Sequence, residues 1–371
     1  MAKQHDIEIV LDKNLHVETS IKKEDIAFLD PRKAPFSIHG FSVAPSDDEY
    51  NYKRLGDEVA SKANEGVVAT YKNTSGGRIK FSTNSEYVAI KCEWDDVTKI
   101  AAMPLTGSCA FDMYVDSDSY RTSKYYKVFI PPYYWDCKTG YESVLDFNDR
   151  STRQITINFP LYNNVKKVYI GLQKDATVGK GKPYDITTPV VFYGASKTQG
   201  GYVSRAGNAH PAILSRRLGF DFLNFGFAGG AQGDDSVIDY IASLDMSAFV
   251  CDYEQDVNEA QYLATHKKTY KKIRANHPDT PYIIATGTEP DIFTDESVKA
   301  AKKAIALDTY KYALSLGDKN VYFVDGDAVF KNGSFVDCYT IDGVNITDSA
   351  SVRLAQMYES VFFRIFGKEG K

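Results

Sequence analysis

In the first half of the chain, apolar and β-branched residues recur in short runs at 66–73, 78–83, 86–93, 109–115, 125–130, 153–159 and 166–171. Runs of this length and composition, several of them alternating with polar residues, predict strands that lay one face on a core. Ser75-Gly76-Gly77 and Pro131-Pro132 punctuate them. Many short strands at this spacing predict an all-β sandwich of jelly-roll-like form. The periodicity lapses over 174–188, where Lys174 to Pro183 gathers Gly, Lys and Pro. The domain boundary is placed there, giving an N-terminal domain over 1–180 and a second over 186–371.

Beyond the boundary the pattern changes to short continuous apolar runs separated by segments of helical period. Strands are expected at 189–193, 220–224, 247–253, 281–286 and 320–324, and helices at 208–218, 235–243, 258–275, 295–316 and 348–366. Strand–helix alternation of this kind predicts a flavodoxin-like, three-layer α/β/α domain with a parallel sheet. Ligands in such folds sit beyond the carboxyl ends of the strands, so the loops there are where chemistry is to be sought.

Composition removes several function classes. The 371 residues are 43% hydrophobic and 25% charged, close to ordinary globular averages, which excludes collagen-like and largely disordered chains. Lys and Arg number 44 against 49 Asp and Glu, and no strongly basic segment stands out, so nucleic acid is not an expected partner. The five cysteines, Cys92, Cys109, Cys137, Cys251 and Cys338, are widely spaced and include no C-x-x-C pair. They are read as buried thiols, outside any disulfide framework or zinc site. The polar start, Met1-Ala2-Lys3-Gln4-His5-Asp6, lacks an apolar leader and no stretch nears the length of a spanning helix, so a cytoplasmic location away from membranes is expected.

Four loops follow strands of the second domain. They are Gly194-Ala195-Ser196-Lys197-Thr198-Gln199-Gly200-Gly201, then Gly226 to Gly230, Asp252 to Asp256, and Asp342-Gly343-Val344-Asn345 before the last helix. The first puts a hydroxyl on a glycine-dense strand-to-helix turn, where a nucleophile can be presented. All four are expected to converge on one edge of the sheet.

The order of these blocks resembles the SGNH or GDSL hydrolase family, and more narrowly its members with an N-terminal β-sandwich, which are similar to carbohydrate O-deacetylases. The resemblance rests on Thr74 to Ser82, Met103 to Ser108, Gly194-Ala195-Ser196 with Thr198 to Gly201, Asn208 to Arg217, and Asp318 to Gly326. It implies Ser196 as nucleophile, with the backbone N–H groups of Ser196 and Gly229 as oxyanion-hole donors. Two positions depart from the family pattern. Asp256 stands where the third oxyanion donor, an Asn, is expected, and Asn345 stands where the catalytic His is expected, three residues after the orienting Asp342.

Both departures matter chemically. A serine hydroxyl is a weak nucleophile until a base takes its proton, and an Asn amide cannot. Loss of a triad member costs about 10⁴–10⁶-fold in rate. An ionised Asp256 would meet a developing oxyanion with like charge. Lys197 adjoins Ser196, but neighbouring side chains point in different directions and a lysine base must first lose its proton. His210 lies fourteen residues after Ser196 and reaches the site only if its helix end turns inward.

The remaining motifs have plainer readings. Ser196-Lys197-Thr198 does not complete a phosphate loop. Asp325-Gly326-Asp327 and Asp116-Ser117-Asp118 lack the spacing of a calcium loop and are read as turns, so no metal and no cofactor is expected. His266 is expected on an exposed helix face and His277 at a His-Pro helix exit. The aromatic stretch Tyr133-Tyr134-Trp135, with Tyr125, Tyr126 and Tyr141, fits either a seal between the domains or a surface for stacking on sugars. Two functions follow: a weak or inactive ester hydrolase acting on acetylated carbohydrate, or a silent relative that binds a glycan or acylated small molecule in the retained pocket.

Overall fold

The computed structural model describes residues 20–45, 52–117, 123–133, 136–288, 290, 292–331 and 336–367. Its first part packs two antiparallel sheets face to face. Strands β1 (Ile26–Leu29), β9 (Lys167–Gln173), β4 (Tyr87–Glu93) and β7 (Gly140–Asp146) form one, in that order. The other runs β10 (Val178–Lys180), β3 (Arg78–Thr83), β8 (Arg153–Asn158), β5 (Phe111–Asp116), β6 (Lys124–Phe129), with β2 (Ser37–His39) also on β3. Alternation puts Val88, Ile90 and Cys92 of β4 inward against Ile79, Phe81, Phe111, Met113, Ile155 and Ile157 of the facing sheet.

The second part is a five-stranded parallel sheet in the order β12 (Phe220–Gly226), β11 (Ile186–Gly194), β13 (Ala248–Asp252), β14 (Tyr282–Thr286), β15 (Val321–Asp325). In order along the chain this is 2-1-3-4-5, the flavodoxin-like winding. β13 is buried at every residue, because both faces of the sheet are covered. Val191, Tyr193, Phe249, Cys251 and Ile284 belong to the core on one side. Val190, Phe192, Val250, Ile283 and Ala285 belong to the core on the other. Helices His210–Leu218, Asp235–Ala242, Glu259–Asn276, Glu296–Ser315 and Asp348–Phe366 supply the outer layers.

Several sequence expectations are corrected. The run at 66–73 forms a helix, Glu65–Thr70, rather than a strand; the Asn64 side chain caps it by accepting from the Val67 amide. Its Val67 packs into the α/β core with Leu55 and Ala60. Cys338 is exposed, while the other four cysteines are buried thiols. His266 is fully buried rather than exposed, with Nδ1 2.8 Å from Thr309 Oγ1 on the neighbouring helix. Tyr134, Trp135 and Asp118 lie outside the described residues, as do His5 and His16. Of the other aromatics, Tyr141 is in the sandwich core and Tyr133 is exposed.

The two parts share buried polar contacts. Arg54, 1% exposed, sends its guanidinium to the carbonyls of Asn73 (2.8 Å), Asn224 (3.1 Å), Thr70 (2.7 Å) and Gly226. Asp112 of β5 accepts from Arg205 Nη1 and the Gly207 amide, each at 2.9 Å. Such groups leave water only because every lone pair and proton finds a partner. No helix among the described residues is long and apolar enough to cross a membrane.

Candidate active site

Ser196 opens a four-residue helix, Ser196–Gln199, directly after β11. Glycine makes the turn possible: a Cβ at Gly194 would lie 2.2 Å from Thr198 Oγ1, and one at Gly226 would lie 2.1 Å from the Gln199 amide. The first domain braces the turn from behind. Tyr162 donates its hydroxyl proton to the Ser196 carbonyl at 3.3 Å, Gln199 Nε2 donates to Asn73 Oδ1 at 2.9 Å, and Ser75 Oγ donates to the Gln199 carbonyl.

The Ser196 hydroxyl faces two amide oxygens, Asn345 Oδ1 at 3.4 Å and Gln255 Oε1 at 3.3 Å. The Asn345 orientation is set by Asp342, whose Oδ2 accepts from Asn345 Nδ2 at 2.8 Å and whose Oδ1 accepts from the Asn345 amide at 2.7 Å. Burial pushes the Asp342 carboxyl up, but these bonds and one from the Val344 amide outweigh it and hold the pKa below its ordinary value. Asp342 and Asn345 thus hold the relative geometry of an orienting acid and its partner, with an amide in place of a ring nitrogen. Gln255 escapes sequence reasoning, since nothing in its own residue type separates it from the acidic neighbours Glu254 and Asp256.

Gly229, at φ +72°, turns the loop after β12. That loop is wedged against the helix Glu65–Thr70: a Cβ on Gly66 would lie 2.5 Å from the Gly229 carbonyl oxygen. Asn64 Nδ2 donates to the Gly230 carbonyl at 2.9 Å. Asp256 occupies the concave side, accepting from the Ala231 amide at 3.0 Å, with the Gly229 and Gly230 amides also bonding to its carboxylate. Burial pushes the Asp256 pKa up to about 6, and the amides and Lys197 only partly pull it back. A carboxylate therefore engages the Gly229 amide, one of the two backbone donors expected for an oxyanion, together with its neighbours Gly230 and Ala231.

Lys197 is turned away from Ser196, into the protein. Its Nζ lies 3.0 Å from Asp252 Oδ1, with both side chains at most 2% exposed. Asp252 also accepts from Thr288 Oγ1 (2.7 Å) and the Tyr358 hydroxyl (2.8 Å). Burial raises the Asp252 pKa, but Lys197 and these hydroxyls more than reverse the effect. His210 is fully buried, stacks on Tyr358 and has its pKa lowered by burial to about 4.

No group of His, Cys, Asp and Glu among the described residues has the arrangement of a metal site. Between Asp325 and Asp327 stands the Lys303 ammonium, 2.6 and 2.8 Å from their oxygens. Asp116 is paired with Lys80 at 3.0 Å. A cleft of about 510 Å³ opens beside Gln255 along the carboxyl ends of β13, β14 and β15, walled by Ile292, Phe330, Lys299 and Lys302. Its size suits a small molecule.

A parallel sheet in this winding, with a serine on the turn after its first strand and an Asp-x-x-x block before the last helix, defines an SGNH-type α/β domain. The GDSL-like lipase/acylhydrolase family model matches residues 187–363, and the model of the N-terminal domain of SGNH-hydrolase-type esterases matches residues 26–178. The chain belongs to this family. No curated protein matches it. A structure from Bacteroides ovatus described as a GDSL-like lipase superposes with a TM-score of 0.82 at 24% identity, covering 93% of this chain and 99% of that one. The salicylyl-acyltransferase SsfX3 of a tetracycline biosynthetic pathway gives 0.76 at 16% identity, with the same 93% and 99% coverage. A family two carbohydrate esterase from Cellvibrio japonicus gives 0.56 at 10% identity over 92% of this chain and 98% of that one. At these identities the likeness is one of fold.

Proposed function

We propose that this chain is a carbohydrate O-acetyl esterase-like member of the family in which ester hydrolysis is weak or absent. The observation that carries the reading is the pair of amide oxygens around Ser196 Oγ, Asn345 Oδ1 at 3.4 Å and Gln255 Oε1 at 3.3 Å. An amide oxygen accepts the hydroxyl hydrogen bond but does not remove the proton at neutral pH, so Ser196 stays an alcohol rather than becoming an alkoxide. The carboxylate of Asp256 against the Gly229–Ala231 amides adds a second obstacle, because a forming oxyanion would have to displace a like charge.

The second reading, a silent relative that binds a glycan or acylated ligand, is favoured by the cleft of about 510 Å³ beside Gln255, although Ser196, Gly229, Asp256, Asp342 and Asn345 are not among the residues that line it. Hydrolysis of aryl acetates and acetylated oligosaccharides, with fluorophosphonate labelling of Ser196, tests the proposal. General-base catalysis contributes about 10²–10⁴-fold, so labelling is expected at least about a hundredfold slower than in an active relative. Fast, stoichiometric labelling would overturn it. Saturable binding of an acetylated oligosaccharide without turnover supports the second reading.

A further inference from the structure

A second concavity, of about 360 Å³, lies where the sandwich meets the helices His210–Leu218 and Asp348–Phe366, and shares no lining residue with the cleft beside Gln255. Three arginines line it, Arg205, Arg216 and Arg217, together with Tyr114 and Tyr125, and none of its described lining residues is acidic. We propose that this seam is a binding site for a small molecule bearing a phosphate group.

The arginines are held in place by aromatic faces. The Arg216 guanidinium lies 4.0 Å from the centre of the Tyr114 ring and that of Arg205 lies 3.9 Å from the centre of the Tyr125 ring. Tyr114 links the two, since its hydroxyl also takes a hydrogen bond from Arg205. Contact with a ring restrains a guanidinium while leaving N–H donors free for an oxyanion, which it engages through paired bonds.

Charge then selects the ligand. Arg205 is balanced by buried Asp112 behind it at 2.9 Å, and Arg217 by Glu359 at 2.9 Å. Among the described residues the Arg216 guanidinium has no carboxylate partner, and it donates to the Ala212 carbonyl at 3.3 Å. Arg216 thus supplies the one unbalanced charge, and a phosphate, with three terminal oxygens, can accept from Arg216 and from a neighbouring arginine at once, whereas one fork satisfies a carboxylate. The volume lies within the range of small-molecule sites, and Ile213, Val352 and the Tyr125 ring offer apolar contact for the rest of the ligand.

Calorimetric titration of the full chain with inorganic phosphate, at fixed ionic strength, tests the site. Saturable binding is expected. Arg216→Gln should weaken it at least about tenfold, an effect of about 1.4 kcal/mol, and Arg216→Lys should weaken it less. Arg150→Gln, on the sandwich surface and paired with Asp175, should leave it unchanged. Circular dichroism verifies folding of each variant; if Arg216→Gln does not fold, Arg216→Met takes its place with the same expectation. Absence of saturable phosphate binding, equal loss in Arg150→Gln, or tighter binding of acetate than of phosphate overturns the proposal.

Discussion

Lys197 and Asp252 form a buried ion pair, Nζ to Oδ1 at 3.0 Å, directly beneath the turn that presents Ser196. The serine and the lysine are adjacent in sequence yet point in different directions from the short helix they share. Proximity in sequence thus gives the hydroxyl no base, and the ammonium instead neutralises the end of β13.

Removing the lysine leaves a buried carboxylate without its counter-charge, which typically costs about 3–5 kcal/mol. Lys197→Met is therefore expected to lower the urea-unfolding free energy by about that amount, and adding Asp252→Asn should recover much of it, because the charge is gone and, of the hydroxyls on the two carboxylate oxygens, Thr288 and Tyr358, one can still donate to the amide oxygen while the other accepts from the amide nitrogen. A Lys197→Met variant as stable as the parent would contradict the pairing.

Arg54 provides the corresponding test of the domain seam. Its donors reach four backbone carbonyls, on Thr70, Asn73, Asn224 and Gly226. Each carbonyl stripped of its partner in a buried place costs about 1–3 kcal/mol, partly offset by no longer burying a charge. Arg54→Met is expected to cost about 2–4 kcal/mol in chemical unfolding. Arg54→Lys should restore little, since a point ammonium cannot fork across carbonyls from both domains. Loss of under about 1 kcal/mol would show that the seam does not depend on this residue.

The α/β half was legible because its signal is local. Parallel strands buried on both faces read as continuous apolar runs, and the expected helices at 258–275 and 295–316 differ from the observed Glu259–Asn276 and Glu296–Ser315 by one residue at each end. The failures are non-local. Val67, Val68 and Thr70 favour a strand by their branching, but Asn64 caps the segment as a helix and the core of a distant domain takes Val67. His266 is polar and sits among lysines in sequence, so nothing marks it as buried; the packing of Glu296–Ser315 against its helix and the rings of Tyr253 and Tyr262 enclose it, and burial lowers its pKa to about 3. In the site, the family blocks led to Ser196, Gly229, Asp256, Asp342 and Asn345, whereas Gln255 and the bracing by Asn64, Gly66 and Tyr162 depend on how the two domains meet.

Asp256 gives a pH-dependent signature. Its carboxyl is raised from 3.8 to about 6 in the folded protein. Between these values the native state holds a proton that the unfolded chain has released, so this group's contribution to stability falls as pH rises from about 4 to about 6 and stays low above. At about 1.4 kcal/mol per pKa unit, with partial exposure, the penalty is about 1–3 kcal/mol. Asp256→Asn lacks the titration. The stability of the variant relative to the parent should therefore improve by about 1–3 kcal/mol between pH 4.5 and pH 7.5 in urea unfolding. A difference that stays level across that interval would mean that the carboxylate is not penalised in its place.

The proposed loss of activity predicts that reversing both departures together raises catalysis most. Asn345→His would put an imidazole beside Asp342, which already holds the residue at this position through Oδ1 and Oδ2. The ring is longer than the amide it replaces, and the amide oxygen already lies 3.4 Å from Ser196 Oγ. Asp256→Asn would exchange a charge against the Gly229–Ala231 amides for a group able to donate to an oxyanion. The double variant is expected to raise kcat/KM on an aryl acetate by about 10²–10⁴-fold over the parent. Each single change should give less, and the effects need not add, because base and oxyanion donors act on one transition state. Asn345→His alone would generate an alkoxide attack whose oxyanion still meets the Asp256 carboxylate. Asp256→Asn alone would clear the hole while leaving Ser196 without a base. The Asp256 carboxyl titrates near 6, so Asn345→His alone should also lose less to that repulsion below this pH, although its own imidazole is then increasingly protonated; its optimum is expected at lower pH than that of the double variant. A folded double variant no faster than the parent would mean that the matching of Asn345 or Asp256 to catalytic positions is mistaken, provided that a structure shows the new imidazole within hydrogen-bond reach of Ser196.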